Sequence, residues 1–321
     1  MNLLHTHRDN LLMCDKSELY DGTSLWFGTD TPYQFQDNLR QGHIPEDYQQ
    51  PECITYKFNS QGFRTSELSS YTHNEFLLAL GCSYTQGVGL RQSETWCEIL
   101  ANNLDIQCMN LALGGTGVDY VYYQTLAYVR TNRPTPKIAV YQITHQEREG
   151  WMYTNHTDYN MLVKVNPKED FDPPETVGKQ SSLKHYQSDK TLTWDHFSYR
   201  TANYMDAISH IWNSQGVPVI FFTFDTDADD NSYSSNKLFK FPRDHMFATD
   251  WHQDLARDCH HFGPKVHLNV SKNLQRLCET LINSHKLKFD TNQVIEVDLS
   301  PEEIVKRKIL GKRNSEPFIY R

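Results

Sequence analysis

Basic residues are in the minority: 31 Lys and Arg stand against 40 Asp and Glu, a formal charge of −9. A chain of that sign argues against nucleic acid as the principal partner, since phosphate-backbone binding needs a basic face. Cysteine is scarce and scattered (Cys14, Cys53, Cys82, Cys97, Cys108, Cys259, Cys278), with no CxxC pair. Neither a zinc ribbon nor a disulfide framework is expected, and most of these residues read as small buried hydrophobes in a reducing compartment. No apolar run approaches the length of a membrane span. The opening stretch "MNLLHTHRDNLLMCDK" lacks the apolar segment and small-residue cleavage site of a secretory signal. The expected location is therefore the cytoplasm or a larger assembled particle. No internal repeat or low-complexity tract is visible.

What is present is an alternation of two periods. Short apolar runs occur at "EFLLAL" (75–80), "IQCMNLAL" (106–113), "KIAVYQI" (137–143) and "VPVIFFTF" (217–224). Between them lie longer helical patterns at 93–104, 118–130 and 198–216. Ser93 is the expected N-cap of the first, and Gly216 closes the third. A last helix follows Pro264, with Val266, Val270, Leu274, Leu277 and Leu281 on one stripe. Strand alternating with helix predicts an α/β fold with a mostly parallel sheet covered on both faces. "QVIEVD" (293–298) reads as a further edge strand. Residues 1–70 form an N-terminal extension packing on the core, with strand-like "CITYKFNS". The main domain runs over 71–298, with a polar, aperiodic insertion at 151–199 after the third strand. A basic tail, 299–321, follows.

One short stretch asks for an explanation. In "GCSYTQGVG" (81–89) a buried strand stops at Gly81 and delivers Ser83 into a glycine-bearing turn, at the carboxyl end where α/β sheets keep their sites. The turn reads equally as a nucleophile mount, a phosphate cradle or a tight corner. A serine hydroxyl becomes a nucleophile when a histidine takes its proton and a carboxylate orients that histidine. "ARDCHHFGPKVH" supplies both: Asp258 and His261 are three apart on a turn into the last helix, where side chains at that spacing face one way. Donors for an oxyanion are available in "NLALGGTG", through Gly115, and in "QITHQER", through Thr144 or, with a one-residue shift, His145.

"GCSYTQG", "NLALGGTG" and "DCHHFGPKVH" resemble, in that order, the serine, glycine and Asp-x-x-His blocks of the SGNH (GDSL-like) esterases and lipases. "FNSQGFR" (58–64) is similar to a segment found ahead of the serine block in many bacterial members. The resemblance covers residues 76–285. It implies a flavodoxin-like three-layer α/β/α sandwich and hydrolysis of an ester or O-acyl group through an acyl-serine, without cofactor or metal. Carried over by position, it makes Ser83 the nucleophile and an oxyanion donor, Gly115 the second donor, His261 the base and Asp258 its orienter. Two positions depart from the family's pattern. Cys82 stands where the serine block has aspartate, and Thr144 stands where a third-strand asparagine is the remaining oxyanion donor.

Other readings stay beside these. Asp258 and His261 also suit a helix cap, His260 is the neighbouring rival for the base, and His267 suits a packed helix face. Cys259, His260, His261 and His267 form an incomplete metal set with no second ligand block. "DTDADDN" (225–231) begins like a calcium loop but lacks its glycine and its glutamate. The serine also lacks the G-x-S-x-G pattern of the other large hydrolase fold. The substrate expected is a small-molecule or carbohydrate ester, the aromatics Trp151, Tyr153, Tyr159, Tyr186, Trp194 and Phe197 of the insertion being candidate sugar-stacking walls. The rival function is a catalytically weak or inactive binding or structural protein, with the extension or the tail as contact for a protein partner.

Overall fold

The parallel strands form because their side chains are apolar on both faces. In the computed structural model, which describes residues 22–131, 133–144, 148–154, 160–165, 194–224, 238–240 and 254–290, the run Phe76–Leu80 becomes strand β3, and all five of its side chains are fully buried. Phe76, Leu78 and Leu80 enter one hydrophobic cluster and Leu77 and Ala79 the other, as the two-residue side-chain period requires. The other sheet strands are β4 (Gln107–Asn110), β5 (Ile138–Gln142), β8 (Val219–Thr223) and β9 (Leu238–Lys240). They pair in parallel in the order β4-β3-β5-β8-β9. Counting only this sheet's strands along the chain, that is the flavodoxin-like order, with its switch point between β3 and β5.

Helices cover both faces. α4 (Val118–Arg130) and α5 (Trp194–Asn213) pack on the cluster that holds Phe76, Leu78 and Leu80. α3 (Trp96–Asn103) and α6 (Pro264–Asp290) pack on the other, through Leu100, Val266, Val270 and Leu274. The fold is thus a three-layer α/β/α sandwich. The helix expected from Ser93 begins later. Gln92–Glu94 form a single turn of tighter helix, Glu94 accepts the Arg91 N–H, and Thr95 occupies the N-cap of α3. Cys82, Cys97, Cys108 and Cys278 are buried thiols without a disulfide.

Within the main domain two features have no counterpart in the sequence pattern. One is β9, a short edge strand. The other is an antiparallel pair, β6 (Glu149–Thr154) with β7 (Asn160–Val165), inside the stretch that shows no sustained period. The candidate strand 293–298, the acidic stretch 225–231, the tail and most of the insertion lie outside the described residues.

The extension has its own small cluster. A two-stranded sheet, β1 (Gly22–Ser24) with β2 (Tyr56–Phe58), and helix α1 (Pro32–Arg40) bury Phe35, Tyr48, Ile54 and Tyr56 against Leu90 and Ala256 of the main domain. Its anchor is ionic. The Arg257 guanidinium holds the Asp30 carboxylate through Nε and Nη2, at 2.6 Å for the shortest contact, with both side chains fully buried. The remaining Arg257 donors reach the carbonyls of Leu25 and Pro51, and the Tyr56 hydroxyl donates to Asp30 at 2.5 Å. Removing one member of such a pair strands a buried charge. Arg257→Leu should therefore lower the unfolding free energy by about 3–5 kcal/mol in urea titrations, whereas the double change Asp30→Asn, Arg257→Met should recover most of that loss.

Candidate active site

The first helical turn after β3 carries the serine. α2 spans only Ser83–Gln86, with Cys82 at its N-cap, and ends at Gly87 in the left-handed region (φ 79°). The turn is held from three sides. Gln142, the last residue of β5, accepts at Oε1 from the Cys82 N–H and the Thr85 hydroxyl, both at 3.0 Å. Asn110, the last residue of β4, donates to the Thr85 carbonyl at 2.7 Å. Arg64, from "QGFR", is buried and donates to the carbonyls of Gln86, Gly87 and Leu90. Gly81 permits this approach, since a Cβ there would lie 2.4 Å from Thr85 Oγ1 and 2.6 Å from Gln142 Oε1.

The second wall comes from the turn between Leu255 and Phe262, which a β-bridge closes. Within it His261 Nε2 lies 2.7 Å from Ser83 Oγ, and His261 Nδ1 lies 2.6 Å from Asp258 Oδ2. Asp258 is fully buried and accepts four hydrogen bonds. Oδ1 takes the backbone N–H groups of His260 and His261, and Oδ2 takes the imidazole and the Thr29 hydroxyl (2.6 Å). Burial works to raise the Asp258 carboxyl, but the imidazole, Thr29 and the His260 N–H outweigh it and hold the group below the ordinary carboxylate range. An ionised carboxylate only accepts, so Nδ1 carries the imidazole proton and Nε2 turns its lone pair to the Ser83 hydroxyl.

The competing residues stand elsewhere. Helix α6 is capped by Asp254, whose Oδ2 accepts the Val266 N–H at 2.8 Å, so Asp258 is not needed as its cap. His260 is exposed. His267 is fully buried and accepts the Trp96 N–H at Nδ1, and burial pushes its imidazole down to about 3, so it stays neutral. Cys82 is buried with its sulfur on Gln142. Among the described residues no cluster of three His, Cys, Asp or Glu side chains is arranged to hold a metal ion.

The Gly114 N–H is taken by Gln86 Oε1 at 2.8 Å. Among the described residues the N–H groups of Ser83 and Gly115 have no acceptor, Ser83 is half-buried and Gly115 is exposed. The Thr144 hydroxyl, past the end of β5, accepts from Arg148 Nη1 at 3.2 Å. His145 lies outside the described residues. Tyr84 lines the site edge-on to His261 (ring centroids 4.9 Å apart) and stacks on Phe262 (5.0 Å). Sequence reasoning missed Gln142, Asn110, Thr29, Asp30, Arg257 and Arg148. Arg64 sat in a segment singled out for its resemblance, but without a role.

No protein-family model and no curated protein matches the chain. Solved structures that resemble it include the psychrotrophic esterase EstA from Pseudoalteromonas sp., inhibited by monoethylphosphonate. That match has 12% identity, covers 65% of this chain and 100% of that one, and has a TM-score of 0.40. Another is the acetyl xylan esterase Est2A from the rumen bacterium Butyrivibrio proteoclasticus, at 12% identity, covering 67% of this chain and 65% of that one, with a TM-score of 0.37. This chain thus spans just under two thirds of the second protein. Likenesses this distant carry no argument, and the site stands on its own distances.

Gln142→Leu removes the shared acceptor of Cys82 and Thr85 beneath the serine turn. The expected cost is about 1–3 kcal/mol for each buried donor left unpaired, read from chemical denaturation.

Proposed function

We propose that the protein is a serine hydrolase acting on an ester or O-acyl group through an acyl-Ser83 intermediate. The observation that carries this reading is the continuous chain from Ser83 Oγ to His261 (2.7 Å) to the buried Asp258 (2.6 Å). A merely structural serine has no need of a histidine whose other nitrogen is fixed by a carboxylate.

In the proposed reaction the Ser83 oxygen attacks the ester carbonyl carbon as His261 Nε2 takes the hydroxyl proton. The imidazolium forms beside an ionised Asp258, which offsets its charge. The C–O bond to the alcohol then breaks, and His261 returns the proton to the leaving oxygen. Water attacks the acyl-serine by the same route in reverse roles, releasing the acid and restoring Ser83.

The tetrahedral oxyanion needs donors at both stages. The unengaged N–H groups of Ser83 and Gly115 suit that task, while the Gly114 N–H is committed to Gln86. Thr144 is the proposed third donor, in the position of the family's asparagine. Its oxygen already accepts from Arg148, which leaves the hydroxyl proton for another acceptor. The carbohydrate reading of the substrate rests on the insertion's aromatics. Among these only the Phe197 side chain is described, and it packs under the Arg200 guanidinium.

A fluorophosphonate probe should label the wild type at Ser83. On the best substrate from a panel of acetyl, butyryl, longer acyl and acetylated-sugar esters, Ser83→Ala and His261→Ala should each lower kcat by about 10⁴-fold or more. Asp258→Asn should fall less far or similarly. Thr144→Val should cost roughly 10²-fold in kcat with little change in KM, because a donor to the oxyanion acts on the transition state. His145→Ala is the control for the shifted alignment. Full hydrolysis by Ser83→Ala would sink the reading and return the chain to the binding-protein class.

A further inference from the structure

We infer that Thr29, in the N-terminal extension, is a positioning residue for the Asp258–His261 pair, its hydroxyl holding the same carboxylate oxygen that holds the imidazole. Its effect on turnover rests on the acyl-serine reading above; the contact itself does not.

The geometry is specific. Thr29 Oγ1 lies 2.6 Å from Asp258 Oδ2, as close as the imidazole nitrogen on that oxygen. Thr29 sits in a tight turn closed by reciprocal backbone hydrogen bonds between Phe27 and Asp30, each 3.0 Å. The next residue, Asp30, is clamped by Arg257, the residue before Asp258. Two consecutive residues of the extension therefore meet two consecutive residues of the site turn, which fixes the register of Thr29. The contact is tied to the serine loop as well: the Arg257 N–H donates to the Gly89 carbonyl, and the Gly89 N–H donates to the Tyr56 hydroxyl that caps Asp30.

The chemical consequence follows from acceptor count. A carboxylate oxygen offers about two lone-pair directions, and on Oδ2 Thr29 and His261 take both. With Oδ1 held by two backbone N–H groups, the carboxylate cannot turn without breaking a bond to a buried charge. Without the hydroxyl, the charge of Asp258 is shared among fewer donors and draws the imidazole proton more strongly, which favours imidazolium. The ring is also held less firmly. Other titratable groups around the pair are Asp30 and Arg257, Cys259 and His260 in the same turn, Tyr84 from α2, His267 from α6, and Arg148 beyond Tyr84. None of them donates to Oδ2, so none replaces Thr29.

The test compares the full chain as wild type, Thr29→Val and Thr29→Ser. Valine keeps the shape and removes the donor, whereas Thr29→Ala would admit a water to this exposed position and mask the effect. The readouts are the ring-proton titration of His261 by NMR with isotope-labelled histidine, the pH dependence of fluorophosphonate labelling, and Tm. We expect Thr29→Val to move the His261 midpoint and the acid limb of labelling upward by roughly half a unit or more, and Thr29→Ser to restore both. A Thr29→Val titration that overlays the wild type overturns the inference. So does a loss of labelling that merely follows the unfolded fraction. If wild type fails to label at any pH, the acyl-serine reading falls, while the titration still decides whether Thr29 positions the pair.

Discussion

A carboxylate with no exposure to water, Asp258, sets the terms for everything around it. An ionised group in such a place is tolerated only when its acceptor sites are filled. Here two donors come from the backbone of its own turn, one from the imidazole and one from the extension. One residue earlier, Arg257 meets the same difficulty for Asp30 with a forked pair. Two buried carboxylates thus have their acceptor sites filled side by side, by donors drawn from the extension and from the turn before α6. Neither segment satisfies its polar groups alone, so the geometry of the site and the docking of the extension depend on each other.

That dependence explains which parts were legible in the sequence. Strands β3, β5 and β8 were, because a strand covered on both faces must be an unbroken apolar run, and few other structures ask for one. Helix α4 was legible to its ends, bounded by Gly117 and by the polar Thr131. Ser83, Asp258 and His261 could be proposed from order and spacing alone. The supports could not. Gln142 reaches Cys82 only because Leu80 pairs with Tyr141 across β3 and β5, which brings the next residue of each strand level. A single polar residue at a strand end has no period to betray it. Thr29 and Asp258 are 229 positions apart, and nothing local to either announces the other. The short strand β9 and the β6–β7 pair escaped for a related reason. Brief strands are stabilised by their partners more than by their own composition.

Thr144, in the segment after β5, is set by its neighbours. Arg148 donates to the Thr144 hydroxyl, its carbonyl accepts from Arg200 of α5, and its backbone lies so close to Gly117 that a Cβ there would meet the Arg148 oxygen at 2.3 Å. Arg148 is thereby held between the N-cap of α4 and the second turn of α5. An asparagine amide donates through its own N–H groups and needs no such help. A hydroxyl has one proton, and a cation on its oxygen both directs that proton away from itself and polarises the O–H bond. Under the proposed mechanism, Thr144 and the Arg148 guanidinium on its oxygen therefore act as one donor.

The glycines of "GCSYTQGVG" bear on the remaining choice between a nucleophile mount and a phosphate cradle. A cradle works by turning several consecutive backbone N–H groups outward to a shared anion. Here the N–H of Cys82 goes to Gln142, those of Thr85 and Gln86 to the Cys82 carbonyl, those of Gly87 and Val88 to the Ser83 carbonyl, and that of Gly89 to the Tyr56 hydroxyl. Gly89 serves instead as a gap: a Cβ there would sit 2.7 Å from the Ala256 side chain and 3.0 Å from Asp258 Oδ1. The turn spends its backbone donors on its own closure and its glycines on close approach. Among the described residues the turn leaves unengaged the N–H groups of Ser83 and Tyr84, the first beside a hydroxyl already in contact with a histidine. Two adjacent donors fit one developing oxyanion better than a phosphate group, which a cradle meets with several.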